Sequence, residues 1–213
     1  MDYDYTIQGL IKGLNSDRLR PSHVMGKDGF TGNNQWFAKD VFGYGLGYFQ
    51  GDYQAIGTIS STTHFIIDRQ GSTFQGAANN LYNGNISWMV TAISKFLGQG
   101  DIPFARAFGY DQLNRLISSR VYDNLDTTLN KWKAAGPALN AYATDYTYDP
   151  NGNILTLNRN GKASTPNMDQ LTYYYKNNTN QLVYVDDAVS AANYGVDIDD
   201  QSNNNYLYDE IGN

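Results

Sequence analysis

At 213 residues the chain is long enough for one large β domain or two small units, and for a sizeable buried core. A net charge of -6 with no basic stripe argues against nucleic acid as a partner, because an acidic surface repels phosphates. The lack of cysteine excludes disulfides, thiol catalysis and Cys-ligated zinc within these residues, and short apolar runs such as Phe65-Ile66-Ile67 fall far below the roughly 20 residues of a transmembrane helix.

Charged residues make up only 17%, whereas 18 Tyr and 9 Phe lift the aromatic share to 14%. Tyr, Thr, Val, Ile and Phe favour pleated, half-buried surfaces, and 21 Gly with many Asn supply turns, so the expected class is all-β with very little helix. At the start lies Tyr3-Asp4-Tyr5-Thr6-Ile7-Gln8-Gly9-Leu10-Ile11, a loose copy of a phrase that recurs further along the chain. The first residues carry neither a basic start nor an apolar stretch, so no signal peptide is expected there. Residues 14–40, rich in Gly, Asn, Ser and Asp, predict a long connection. Strands resume over 40–49, where Gly43, Gly45 and Gly47 alternate with apolar residues and predict places where a neighbouring ring lies on the backbone. Tyr82-Asn83-Gly84-Asn85-Ile86-Ser87-Trp88 predicts a further turn and strand, followed by Met89-Val90-Thr91-Ala92-Ile93.

Tyr110-Asp111-Gln112-Leu113-Asn114-Arg115-Leu116 predicts another turn, and residues 126–133 a turn or two of helix. The clearest hairpin follows: 142–148 and 153–159 flank Asp149-Pro150-Asn151-Gly152, in which Pro150 presets its own φ and Asn151-Gly152 accept positive φ. A second joins 170–176 to 181–186 across Asn177-Asn178-Thr179-Asn180. Residues 186–193 predict a short helix opened by a capping Asp. Residues 203–208 predict the first strand of a third hairpin whose return would lie beyond Asn213, giving an unpaired edge that could join a second copy.

One phrase recurs through this series: Tyr148-Asp149-Pro150-Asn151-Gly152-Asn153-Ile154, Tyr208-Asp209-Glu210-Ile211-Gly212-Asn213, the looser copy at Tyr110-Asp111, and the copy at Tyr3, Asp4 and Gly9, longer by two residues. Tyr175 marks a further, degenerate copy. Gly152 and Gly212 permit backbone angles other residues resist, while Asp149 and Asp209 accept hydrogen bonds from turn amides. Repetition on this scale points to architecture before chemistry.

The Tyr-Asp-x-x-Gly-Asn-Ile copies with their Tyr-x-Tyr lead-in resemble the YD repeats of bacterial RHS proteins. The order of motifs along the whole chain is similar to RHS-like surface proteins of the Bacteroidetes. The resemblance implies antiparallel hairpins in a curved sheet, a segment of a β shell that can enclose a C-terminal toxin domain, with an extracellular or cell-surface location. It implies a divergent half with long loops over 1–104 and tandem hairpins over 105–213, together a fragment of a longer protein. Its implied partners are the remainder of the parent chain, with further repeats and a cargo domain. The self-cleavage region of that family is not matched, since Asp149-Pro150 sits inside an ordinary repeat, so the expected role is a non-catalytic scaffold without cofactors.

No enzymatic site is legible. His23 and His64 lack an i+4 partner or a nucleophile motif and read as structural or surface histidines. Asp197-Ile198-Asp199-Asp200-Gln201-Ser202-Asn203 spaces oxygen ligands as a calcium loop does, but Ser202 and Tyr208 stand where an EF-hand has Gly and Glu, so a solvated acidic turn is expected and no metal is assigned. Asp186-Asp187 makes no catalytic pair, because neighbours on a strand point to opposite faces. The glycosylation patterns at Asn85-Ile86-Ser87 and Asn177-Asn178-Thr179 are assigned no function. The alternative to a scaffold is a carbohydrate-binding module in which Trp36, Trp88 and Trp132, with the tyrosines, form stacking platforms for glycans.

Overall fold

The computed structural model of the chain describes residues 1–30, 32–54, 79–94, 103–128, 131–132 and 138–212. His64, the apolar run at 65–67 and Asn213 lie outside the described residues. Among those described there is no α-helix, and twelve strands account for the regular structure: β1 (Tyr3–Tyr5), β2 (Ile11–Leu14), β3 (Phe42–Gly47), β4 (Trp88–Ile93), β5 (Phe104–Tyr110), β6 (Leu116–Tyr122), β7 (Leu125–Asp126), β8 (Lys131–Trp132), β9 (Leu139–Tyr148), β10 (Ile154–Asn160), β11 (Asn167–Tyr175) and β12 (Leu182–Asp187). Ten of them form one open antiparallel sheet in the order β1-β2-β3-β4-β5-β6-β9-β10-β11-β12, and β7 pairs with β8. The all-β expectation therefore holds. The chain divides into two compact units, Met1–Gly109 with Val121–Ala138, and Tyr110–Arg120 with Leu139–Asn213.

In the first unit β4 alternates buried and partly exposed residues, as a strand with one face on a core must. β4 sends Trp88 and Val90 inward opposite Ala107 and Ala105 of β5, so large side chains meet small ones across the pair. Tyr122, Leu125 and Trp132 complete this core. Gly47 lies under the Trp88 ring, which occupies the space a Cβ would need, as the glycine alternation in β3 predicts. Gly43 and Gly45 instead face the Ser16 carbonyl and the Asp17 carboxylate, so there the close neighbour is the connection that leads from β2 to β3 and not a ring. That connection is indeed long, running from the end of β2 to β3.

The helix expected over 126–133 is replaced by β7 and β8, with Leu125 opposite Trp132. Leu125 is 7% and Trp132 3% exposed, and burying both in the core outweighs a local preference for helix. Asp126 caps the turn instead, its Oδ1 accepting from Thr128 N at 2.9 Å.

In the second unit the two hairpins form where the sequence places them. β9 and β10 pair around Tyr146 opposite Leu157, and β11 and β12 around Tyr173 opposite Val185. Leu171 and Val185, 1% and 3% exposed, anchor one face of this part of the sheet, while Thr147, Asn158 and Tyr174 lie on the other, exposed face. The helix expected over 186–193 is absent. Asp186 and Asp187 remain in β12 opposite Thr172 and Leu171, and Asp187 Oδ1 accepts from Gln170 N at 2.8 Å and Val189 N at 3.0 Å, which turns the chain into a loop.

Residues 203–208 do not form a strand. The segment nevertheless lies along the outer side of β12: Gln201 N donates to Val185 O and Asn205 N to Val183 O, both at 3.0 Å, while Gln201 Oε1 accepts from Val185 N at 3.1 Å. The side chain of Gln201 and the turn at Asn204, with φ of 61°, replace a regular ladder, and the backbone of β12 is partly covered rather than left open.

Candidate functional site

The recurring phrase folds into a recurring turn. In Asp149-Pro150-Asn151-Gly152-Asn153, Gly152 N donates to Asp149 O at 3.1 Å, Asp149 N to Asn153 O at 2.9 Å, and Asn153 N to Asp149 Oδ1 at 2.9 Å. Asp111 repeats all three, receiving Asn114 N on its carbonyl and Arg115 N on its carboxylate while its own amide donates to Arg115 O. The same three bonds recur at the N-terminal end with Thr6: Gly9 N to Thr6 O, Thr6 N to Leu10 O, and Leu10 N to Thr6 Oγ1. At Asp209 the carbonyl accepts from Gly212 N, and the carboxylate from Ile211 N. The residue three past the capping side chain has positive φ each time: Gly9 81°, Asn114 62°, Gly152 92°, Gly212 88°. A four-residue turn followed by one left-handed residue suits the twist of antiparallel strands, and Gly or Asn adopts that conformation most readily.

At the N-terminal copy the capping seat thus belongs to Thr6, and Tyr5 precedes it. Tyr3 and Asp4 lie in β1, where Asp4 Oδ1 accepts from Tyr5 N. The apparent two-residue insertion disappears, since Tyr5 through Ile11 has the spacing of Tyr148 through Ile154. The shared Gly and Ile positions carry that signal, which matching on the Tyr-Asp pair obscures.

The tyrosines before the turns have a common use as well. Tyr148 OH donates to Leu116 O at 2.7 Å, Tyr175 OH to Ile154 O at 2.9 Å, and Tyr208 OH to Leu182 O at 3.0 Å. Each acceptor is the first residue of a returning strand, so each tyrosine closes onto the turn of the preceding hairpin. In the first unit Tyr48 does the same, its OH donating to Ile11 O at 2.8 Å. Tyr175, followed by Lys176 instead of Asp, keeps this bond although its turn differs, with Lys176 N donating to Gln181 O. Tyr48 precedes no Tyr-Asp pair and is not recognisable from the motif.

Side chains from the last turn position tie the turns together. Arg115 holds its own Asp111 through Nε at 2.7 Å, donates through Nη1 to Asp149 O at 2.9 Å, and sets its guanidinium 4.7 Å from the centre of the Tyr148 ring. Asn153 Nδ2 reaches both Asp149 Oδ2 at 2.8 Å and Asn180 Oδ1 at 2.9 Å. A Cβ added to Gly212 would stand 3.4 Å from Gln181 Nε2. The hydrogen bonds from the Asn153 side chain and from turn amides hold the Asp149 carboxyl below its ordinary range, and those from the Arg115 amide and guanidinium do the same for Asp111. Burial raises the phenols of Tyr110, Tyr148 and Tyr175.

The expected platforms are differently placed. Trp88 and Trp132 are core residues that no sugar ring reaches, whereas Trp36 is 86% exposed. Tyr174 and Tyr184 stack on each other at 4.5 Å on the exposed face and so cover one face of each ring. His23 is buried, with Nε2 3.3 Å from Arg18 Nη1 and Nδ1 2.8 Å from Ser22 Oγ. Arg18 can only donate, so Nε2 accepts and the proton of the neutral ring sits on Nδ1, which makes this histidine a structural acceptor. No protein-family model matches this chain, and the search of curated proteins likewise gave no match.

Proposed function

We propose that the chain is a non-catalytic stretch of structural wall, built of Tyr-Asp hairpins, in an RHS-like secreted or surface protein that encloses or displays a C-terminal cargo domain. The observation that supports it is the tyrosine ladder: the repeated residues spend their polar groups on the neighbouring hairpin and leave none of the three rung hydroxyls in the second unit directed at an outside ligand. A repeat that cannot bury its face alone is stabilised by contacts with its neighbours, which suits an array whose purpose is to extend.

A glycan array probed with the whole chain tests this against carbohydrate binding. The expected result is no specific signal. Saturable binding to a defined glycan, abolished by Trp36→Ala, would overturn the scaffold reading.

A further inference from the structure

The chain contains three Asn-Gly pairs, Asn83-Gly84, Asn151-Gly152 and Asn160-Gly161, and the fold holds each of them differently. In such a pair the backbone nitrogen that follows Asn can attack the side-chain carboxamide, because glycine lacks the Cβ that would crowd the approach and restrict the backbone. Whether the attack takes place depends on how firmly that N–H and that carboxamide are engaged elsewhere.

At Asn160-Gly161 both are engaged. Gly161 is buried and its N donates to Pro166 O at 2.8 Å, while Asn160 Nδ2 donates to Asn140 O at 2.8 Å and to Asn140 Oδ1 at 2.9 Å. At Asn151-Gly152 the backbone alone is firmly held: Gly152 N closes the repeated turn on Asp149 O at 3.1 Å, and Asn151 Nδ2 donates to Asn180 Oδ1 only at 3.4 Å. At Asn83-Gly84 both residues are exposed, Gly84 N donates to no acceptor among the described residues, and a Cβ placed on Gly84 would meet no atom within 4 Å. Asn83 Oδ1 accepts from Asn85 N at 3.1 Å. That bond spans the Gly84 amide and so folds the carboxamide back over it. It also sets a donor on the oxygen that becomes negative when Cγ is attacked. The bend is fastened on either side to the end of β3, Leu81 N donating to Tyr48 O and Ser87 N to Gly47 O, both at 2.8 Å.

We propose that Asn83-Gly84 is a site of spontaneous self-modification, selected from the three pairs by the fold. Gly84 N bonds to Asn83 Cγ, the Cγ–Nδ2 bond breaks, and the amide proton leaves with Nδ2 as ammonia, which closes a succinimide ring. Water then opens the ring at either carbonyl, to aspartate or to isoaspartate, so the balance needs no oxidant, metal or enzyme. Either product adds a negative charge. The isoaspartate also carries the main chain through the former side-chain methylene, lengthening the path between the anchors at Leu81 and Ser87. The site does not depend on the scaffold role, and a failure of either leaves the other standing.

The test is incubation of the whole chain at neutral and at mildly alkaline pH, with a parallel sample in concentrated urea, followed by peptide mapping by mass spectrometry. In the folded chain, deamidation at Asn83 should outpace that at Asn151 by about fivefold and that at Asn160 by about a hundredfold, the factors set by one and by three hydrogen bonds of about 1 kcal/mol each. Product at Asn83 should form faster at the higher pH, because the attacking nitrogen must lose its proton. In urea the three rates should draw together. Asn83→Gln should remove the product at that position and leave those at Asn151 and Asn160 unchanged. Indistinguishable rates at the three pairs in the folded chain would overturn the proposal, as would product at Asn160 ahead of Asn83. An order that persists in urea would also overturn it, since neighbouring sequence and not the fold would then set the selection.

Discussion

Gly152 isolates the backbone requirement of the repeated turn from all others. Its φ is 92°, and a Cβ placed on it meets no atom within 4 Å, so a substitution there is penalised by conformation and not by collision. An L residue in the left-handed region costs about 1–2 kcal/mol, and a β-branched side chain lies at or above the top of that range. The loss is offset by about 0.4–1 kcal/mol because the unfolded chain also loses freedom when glycine is replaced. Gly152→Val should therefore destabilise by about 1–2 kcal/mol, or about 2–8 °C in melting temperature. Gly152→Asn should cost less than half as much, since Asn114 already occupies the equivalent seat with φ of 62°. Urea and thermal unfolding followed by circular dichroism measure both. If Val and Asn variants prove equally stable, positive φ is not what the glycine supplies, and the account of the turn fails.

Each of Tyr148→Phe, Tyr175→Phe and Tyr208→Phe removes one hydroxyl and keeps the ring, so each should lower stability by about 1 kcal/mol, and the three should add because their acceptors are separate; urea midpoints of the single and triple variants check this. Gly47→Ala should be far more damaging than Gly152→Ala, because its methyl would enter the space held by the Trp88 ring, and a melting curve should separate the two. The depressed carboxyls of Asp111 and Asp149 contribute stability that is complete above about pH 4 and lost as pH falls through their folded values, so the double Asn variant should show a flatter acid limb in a plot of urea midpoint against pH. The raised phenols of Tyr148 and Tyr175 act at the other end: the unfolded chain ionises first, so stability should fall as pH rises beyond about 10, less steeply in the Tyr→Phe variants.

The hairpins of the second unit were legible because their signals are local. Pro150-Asn151-Gly152 states a turn, and the flanking alternation states its strands. The helices expected near residues 126 and 186 were not, because what decides those segments is distant: Trp132 enters a core made with Trp88, and Asp187 is paired to Leu171. The tyrosine ladder was visible only as repetition, since the chain shows that Tyr148 recurs but not that its hydroxyl meets Leu116, 32 positions earlier. Thr6 was hidden by a chemical substitution, a hydroxyl oxygen doing what a carboxylate oxygen does elsewhere.

The bonds between hairpins in the second unit have a direction. Tyr148, Tyr175 and Tyr208 each reach back to the opening residue of the strand before, and Arg115 and Asn153 reach forward to the following turn. All of these contacts gather at the ends of strands where the turns lie, while the connection from β10 to β11, residues 161–166, runs from the other ends. Natural variation in length can therefore accumulate on the connecting side without disturbing the register of neighbours, but a turn can be gained or lost only together with its two strands. Growth of such a protein over evolutionary time would proceed by whole hairpins.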